Sequence, residues 1–503
     1  MSFQILNYPF ANKNIELSRE NNLIGNNHCF TILTGKNGIG KSRLLVSIVS
    51  NYLKEKNSNE LLSTKEPCKI IAISNIKTDK FPFKRNKSEK YYYFGNKSNH
   101  PYQSTDKYSI FKNLLINPQI NEQSVSQTFN YLGFSSTIRI SLSFARVTYI
   151  NNSNQIEKYL ELFEIYSDFF DNFLPSSLFN KFVDIFHEAR KFKSDLYYKS
   201  DSYYKYNSNE FLEKNEISID YNVRTFKKNI LPDRVIDPIK ESLKPNEILL
   251  LNCLYKLHSS GENITPELFS KIVDTTIFNL EFIKKSLTIY HDFKHQNELE
   301  IFNDILFLLS FDLALITDLK LFPNDSDKYI KFNDLSSGQQ SLFNILLGLS
   351  GVIEDNSLIC IDEPEVNLHP EWQNEFILKL QNIFNCFHGC HFIIATHSPQ
   401  IVSGLTSSNG FVVDLENNIT YSAVSQSKRS ADFQLAKIFN SPGYNNEYII
   451  KICLFLLSKI KDQRTFDESD IKSLKELKIF QSSMKLDDPV YYLVKEVISL
   501  SEV

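Results

Sequence analysis

The chain contains no run of about 18 apolar residues, so no stretch of it reads as a membrane-spanning helix. Its start, MSFQILNYPFANKN, lacks the basic opening and apolar stretch of a secretory signal, which points to a cytoplasmic protein. Positive charge is not in excess. With 55 Lys and Arg against 59 Asp and Glu, a net charge of −4 excludes a protein that coats nucleic acid non-specifically and leaves room only for a local basic groove. Cysteine is sparse: 7 in 503 residues, with Cys253, Cys360 and Cys453 inside apolar runs, read as reduced core thiols and not as a disulfide framework. There is no internal repeat, and no heptad pattern is sustained for long enough to form a coiled-coil arm. Gly and Ala are scarce while Lys, Asn, Ile, Tyr and Phe are abundant, the composition of an AT-rich coding sequence, and no function is read from it.

What is present is an ordinary soluble composition, 42% apolar and 23% charged, long enough for roughly two to four domains. Cys386, His388, Cys390 and His391 crowd together in NCFHGCH, but paired zinc ligands usually come as C-x2-C or H-x3-H with a second pair far away. The cluster also falls where a helix should pass into a buried strand, so zinc is set aside.

An apolar strand, a glycine loop and an amphipathic helix follow one another in HCFTILTGKNGIGKSRLLVSIVSNYL, and CKIIAIS is a further buried strand. From residue 101 to 325 the apolar residues recur at helical spacing, including across ELEIFNDILFLLSFDLALITDL, which makes this a helical insertion. The α/β pattern returns over 326–425 with KYIKF, SLICIDEP, HFIIATHSP, GFVVDL and ITYSAV, and 426–503 reads as helical. The expected fold is therefore α/β: one P-loop domain built from 1–100 and 326–425, interrupted by the insertion and followed by a helical segment.

GKNGIGKS, residues 35 to 42, is the Walker A pattern in the strand-loop-helix setting that pattern requires. Gly35, Asn37, Gly38 and Gly40 let the backbone wrap an anionic phosphate. Lys41 reaches the β- and γ-phosphates, and the Ser42 hydroxyl ligates Mg2+. The expected cofactors are ATP and Mg2+. SLICIDEP is a buried strand ending in two carboxylates, which are costly there unless they act. Asp362 is expected in the Mg2+ shell, with Glu363 as the general base that deprotonates the attacking water. Thirty-four residues beyond Glu363, FIIATHSP ends another buried strand at His397, at the strand end where ligands of open α/β sheets bind.

A second phosphate-binding device stands at DLSSGQQ, a small-residue loop opening a helix. One site holds one triphosphate, already met by Gly40, Lys41 and Ser42, so this loop needs the nucleotide of another subunit. Walker A, LSSGQ, ICIDEP and ATHSP, in this order, resemble the ATP-binding-cassette (ABC) ATPases. The resemblance implies that Leu335, Ser336, Ser337, Gly338 and Gln339 form the signature loop, which closes over the nucleotide of a second copy in a homodimer. The usual family form has Gly where Ser337 stands.

DEPEVNLHPEW, with Glu365, His369 and Pro370, resembles the OLD/RecF-like branch of these ATPases. The helical reading of the last eighty or so residues leaves no room for the Toprim nuclease of OLD proteins. IIAISNIKTDKFPF (70–83) and YYYFGNKS (91–98) are similar to the PtuA-type ATPases of Septu and retron anti-phage systems. That resemblance implies a partner HNH nuclease of the PtuB type, and in retrons a reverse transcriptase with its reverse-transcribed DNA. The function so implied is an ATPase that holds or releases a toxic effector nuclease. A RecF- or SMC-like ATPase acting directly on DNA, and a non-hydrolysing nucleotide sensor, are the alternatives; the intact Glu363 speaks against the sensor. Aromatic and basic runs in the insertion, KFKSDLYYKSDSYYKY and RTFKKNILPDR, are candidate contacts to single-stranded nucleic acid.

Overall fold

The computed structural model describes residues 2–19, 28–53, 62–76, 79–82, 90–95, 108–116, 121–144, 153–187, 242–261, 263–278, 288–292, 300–310, 314–326, 328–462 and 465–501. The two aromatic and basic runs of the insertion lie outside the described residues. The chain divides into two compact units, 1–137 together with 321–503, and 138–320.

The first unit is organised by a seven-stranded sheet. Its strands lie in the spatial order Ile419–Ser422, Gly410–Asp414, Cys29–Thr34, His391–Ala395, Leu358–Asp362, Ile70–Ser74, Tyr91–Gly95. All neighbours are parallel except the first pair. The central strands are apolar throughout because both faces are covered, as parallel sheets require. Residues alternate between two cores. Leu33, Ala72, Cys360 and Ile393 face the helix Lys41–Leu53 through Leu44, Leu45 and Ile48. Ile32, Ile73, Ile361 and Ile394 face the helices Ser337–Ser350 and Pro370–Ile383 through Leu342, Leu346, Phe376 and Leu380.

Register sets the level of the functional loops. Ala395 stands opposite Leu33 on one side and Asp362 on the other, and Asp362 stands opposite Ser74. The loops after these strands therefore open at one edge, next to the place where the chain reverses its direction of travel across the sheet. Open α/β sheets bind ligands at such a switch point. An antiparallel hairpin, Ile5–Phe10 with Lys13–Glu16, lies on the Lys41–Leu53 side, where Ile5, Tyr8 and Ile15 join that core. His391 ties it down: its Nδ1 accepts the Ile5 N–H at 3.1 Å, and its Nε2 lies 2.9 Å from the Thr31 hydroxyl. Cys390, its neighbour, donates its thiol to the Glu354 carbonyl.

After the sheet come the helices Ala431–Lys437, Glu447–Lys461, Glu468–Ser483 and Pro489–Ser501. They share a core that includes Ile449, Leu456, Phe480 and Val494.

In the second unit, the helices Ser153–Ile165 and Pro245–Ser260 are joined by a buried hydrogen bond from Tyr159 Oη to Asn252 Oδ1, 2.8 Å. The helical reading of 101–325 is corrected in part: Phe134–Phe144 and Thr288–Asp292 are strands, and the run 298–319 is not one helix. Glu300–Ser310 is a helix, but Ala314–Pro323 is a strand in which Ala314, Ile316, Leu319 and Leu321 are buried. The alternation in Leu319-Lys320-Leu321 has the two-residue period of a strand, and it outweighs the helical spacing carried over from the preceding segment. KYIKF likewise contributes only Ile330–Lys331 as strand before a 3-10 turn at Phe332–Asp334.

Candidate active site

The loop after Cys29–Thr34 turns through left-handed glycines before the helix begins at Lys41. Gly40, at φ +113°, packs so closely on the hairpin that a Cβ there would lie 3.3 Å from the Phe10 ring. Asn37 and Gly38 are exposed on this loop. Lys41 is buried, and its ammonium donates to the Gly35 carbonyl at 2.8 Å and the Lys36 carbonyl at 3.3 Å. Among the described residues it makes no ion pair with a carboxylate. Burial lowers its pKa, and the negative charges of Glu363, Glu365, Asp362 and Glu416 oppose that shift. A buried cation that is paired with no carboxylate among the described residues is a fitting seat for a phosphate.

Ser42 Oγ donates to Asp362 Oδ1 at 2.9 Å, so the hydroxyl and carboxylate that would hold Mg2+ are already adjacent. Burial pushes the Asp362 carboxyl up to about 6, with the Ser42 hydrogen bond acting against it. Two hard oxygen donors side by side suit Mg2+, which takes one or two protein ligands and fills its remaining positions with water and phosphate.

Glu363 follows Asp362 with φ +48°, a left-handed conformation that is rare for a residue with a side chain. Its backbone N–H donates to Ala395 at 2.9 Å, which turns the side chain out of the strand toward the next loop. There His397 Nε2 stands 3.9 Å from Glu363 Oε1, and His397 Nδ1 lies 3.4 Å from Lys41 Nζ. An ammonium can only donate, so Nδ1 is the acceptor and the ring proton sits on Nε2, facing Glu363. Burial, and then the Lys41 charge, lower the His397 pKa and keep the imidazole neutral. Three neighbouring strands thus bring Lys41, Ser42, Asp362, Glu363 and His397 together.

Ser336, Gly338 and Gln339 stand elsewhere. Ser336 caps the helix Ser337–Ser350, accepting the Gln339 N–H at 3.2 Å while its own N–H donates to Gln339 Oε1 at 3.1 Å. Ser336 and Ser337 are exposed, and among the described residues no hydrogen bond joins them to the Lys41 loop. Gly338 is buried, and a Cβ there would fall 2.6 Å from the Asn367 carbonyl oxygen. This close approach is a packing reason for the glycine.

Three further residues act through contacts that the sequence does not show, although Glu365 belongs to the DEPEVNLHPEW motif read above. Asn75, at the end of the strand beside Asp362, donates from Nδ2 to Ser341 Oγ at 2.6 Å and ties the sheet to the Ser337–Ser350 helix. Glu416 accepts the Lys36 N–H at 2.9 Å and so braces the phosphate loop. Glu365 accepts the His397 N–H at 2.5 Å. A polar residue just past a buried strand was the available signal for Asn75 and Glu416, and the paired acids of DEPE for Glu365.

Residues 74–403 match the AAA_21 family, described as AAA domain, putative AbiEii toxin, Type IV TA system. The chain belongs to the AAA_21 family. It is an α/β P-loop NTPase, and the family match takes in Ser336, Asp362, Glu363 and His397. The chain is 25% identical over 180 residues to a retron Vc95 probable ATPase of Vibrio cholerae, covering 32% of this chain and 33% of that one. It is 30% identical over 99 residues to the Septu protein PtuA of Bacillus mycoides, covering 18% and 13%. It is 35% identical over 89 residues to protein ea59 of Escherichia phage lambda, covering 18% and 16%. In each case the similarity spans at most a third of the relative's own length. No described helix is long and apolar enough to cross a membrane.

Proposed function

We propose that the chain hydrolyses ATP and couples nucleotide binding to control of a partner effector nuclease in a retron- or Septu-like anti-phage system in the cytoplasm. The observation that carries the hydrolase reading is the meeting of Lys41, the Ser42–Asp362 pair and the Glu363–His397 pair at one sheet edge. Lys41 and the loop amides from Gly38 to Ser42 would hold the phosphates, and Ser42 with Asp362 would hold Mg2+. That ion supplies charge neutralisation on the phosphates. Glu363 accepts the proton of the attacking water, and neutral His397 donates from Nε2 toward the same space.

Ser336, Gly338 and Gln339 fit a role on the nucleotide of a second copy, because Ser336 and Ser337 sit exposed at a helix start with no hydrogen bond to the Lys41 loop among the described residues. The partner side rests on the similarity to a retron probable ATPase and to Septu PtuA. An HNH nuclease, with or without a reverse transcriptase and its DNA product, is the partner of choice. Mixing a Lys41→Ala chain with a Ser336→Arg chain tests hydrolysis and sharing together. Each alone is inactive; each heterodimer in the mixture recovers one working site, since each chain brings the half the other lacks. No recovery at any mixing ratio refutes the shared site. Hydrolysis stimulated by DNA with no partner protein would favour direct action on DNA.

A further inference from the structure

Glu365 is a carboxylate for which the hydrolysis described above has no use. Its Oε1 accepts the His397 N–H at 2.5 Å. Among the described residues its Oε2 is buried without a hydrogen-bond partner. An unpaired buried acceptor is destabilising, and more so when charged, so stability alone disfavours glutamate at this position. Burial raises its pKa accordingly. Groups held against their own desolvation cost concentrate at functional sites.

The surrounding bonds show what the carboxylate holds. Its own backbone is fixed relative to Glu363, because Val366 N–H donates to the Glu363 carbonyl at 3.3 Å and Leu368 N–H to the Glu365 carbonyl at 2.9 Å. On the other side, Thr396 N–H donates to Leu33 at 3.2 Å, at the end of the phosphate-loop strand, and Ser398 N–H donates to Thr396 Oγ1 at 2.9 Å. Among the described residues the imidazole of His397 has the longer approaches of 3.4 Å to Lys41 and 3.9 Å to Glu363, too weak to fix its place. Its backbone must do so, and the bond from Glu365 falls on the N–H of that same residue.

We propose that Glu365 is a positioning residue that holds His397 in register between Lys41 and Glu363. The inference rests on the hydrolase reading. The carboxylate links the turn that carries Glu363 to the loop that carries the histidine. A loss of this bond leaves Lys41, Ser42 and Asp362 in place and displaces only the ring.

The test compares Glu365→Gln, Glu365→Asp and Glu365→Ala in the full chain by steady-state phosphate release. It adds imidazole NMR of the nucleotide-free protein, with the His397 signal assigned by its loss in His397→Asn. Gln keeps an acceptor oxygen in place and should hold kcat within about threefold; Ala should lower kcat roughly 10–100-fold with KM for ATP nearly unchanged, since a displacement near 1 Å can have such effects. Asp keeps the charge but draws the oxygen back, and should behave like Ala even if the Ala chain folds poorly. The His397 signal should move in Asp and Ala and stay in Gln. An unmoved His397 signal in Asp and Ala, an unchanged kcat in both, or a Gln variant as impaired as Ala overturns the assignment. If the wild-type chain releases no phosphate, the hydrolase reading fails and the NMR comparison alone decides on Glu365.

Discussion

Ser42 Oγ donates to Asp362 Oδ1 across 2.9 Å, joining two residues 320 positions apart in the chain. The bond keeps a buried carboxylate from standing alone and presents two oxygens to one point. Asp362→Asn retains the hydrogen bond and removes the charge. Nucleotide should still bind, but the Mg2+ concentration needed for full affinity should rise roughly tenfold or more, measured by titrating Mg2+ against a fluorescent ATP analogue.

Glu363 has a backbone that suits glycine better than glutamate, with φ at +48°. The left-handed conformation costs a side-chain-bearing residue about 1 kcal/mol. Glu363→Gly should abolish hydrolysis while remaining more stable than Glu363→Ala by about 1 kcal/mol in urea unfolding. The opposite order of stability would mean that the turn carries no strain.

Gly338 meets the Asn367 carbonyl too closely to accept a methyl group. Gly338→Ala should therefore destabilise the chain by about 1–3 kcal/mol, as overpacking does, whereas Ser337→Ala at the exposed neighbouring position should change stability by less than about 0.5 kcal/mol. Denaturant midpoints of the two variants check this directly.

His391 is neutral in its core position, because burial lowers its pKa from 6.5 to about 3. The folded state then binds fewer protons than the unfolded state between those values, so stability present above pH 6.5 is lost as pH falls toward 3. The slope is about 1.4 kcal/mol per pH unit. His28, lowered by burial, acts in the same direction. Asp362, raised to about 6, acts oppositely and stabilises the fold as pH falls from 6 toward 3.8. The comparison that isolates His391 is with His391→Gln, whose amide can accept from Ile5 and donate to Thr31. Between pH 6 and 4.5 the wild type should lose about 2 kcal/mol more than the variant.

Much of the site could be read from the chain because its parts are contiguous. The spacing of Gly35, Gly40, Lys41 and Ser42, and carboxylates at the end of LICID, announce themselves within a few residues. Asn75, Glu416 and Glu365 do not, since each is defined by a partner brought close by folding: Ser341 lies 266 positions away, Lys36 380 and His397 32. The parallel sheet was legible in its continuous apolar strands, which both covering layers demand. The strand Ala314–Pro323 was not, because a helical run precedes it and its alternation is short. Tyr8 and Ile15 belong to a short hairpin whose second strand, KNIE, has one apolar residue, and its place is defined by its contact with the core.

The proposed function requires that the Lys41, Ser42, Asp362 and Glu363 cluster bind and hydrolyse ATP. Equilibrium nucleotide binding and phosphate release, measured side by side for wild type, Lys41→Ala and Glu363→Gln, test it most directly. The wild type should bind and release phosphate, Lys41→Ala should not bind, and Glu363→Gln should bind with release slowed by roughly 100-fold or more. Glu363→Gln turning over at the wild-type rate, or Lys41→Ala binding ATP normally, would contradict it.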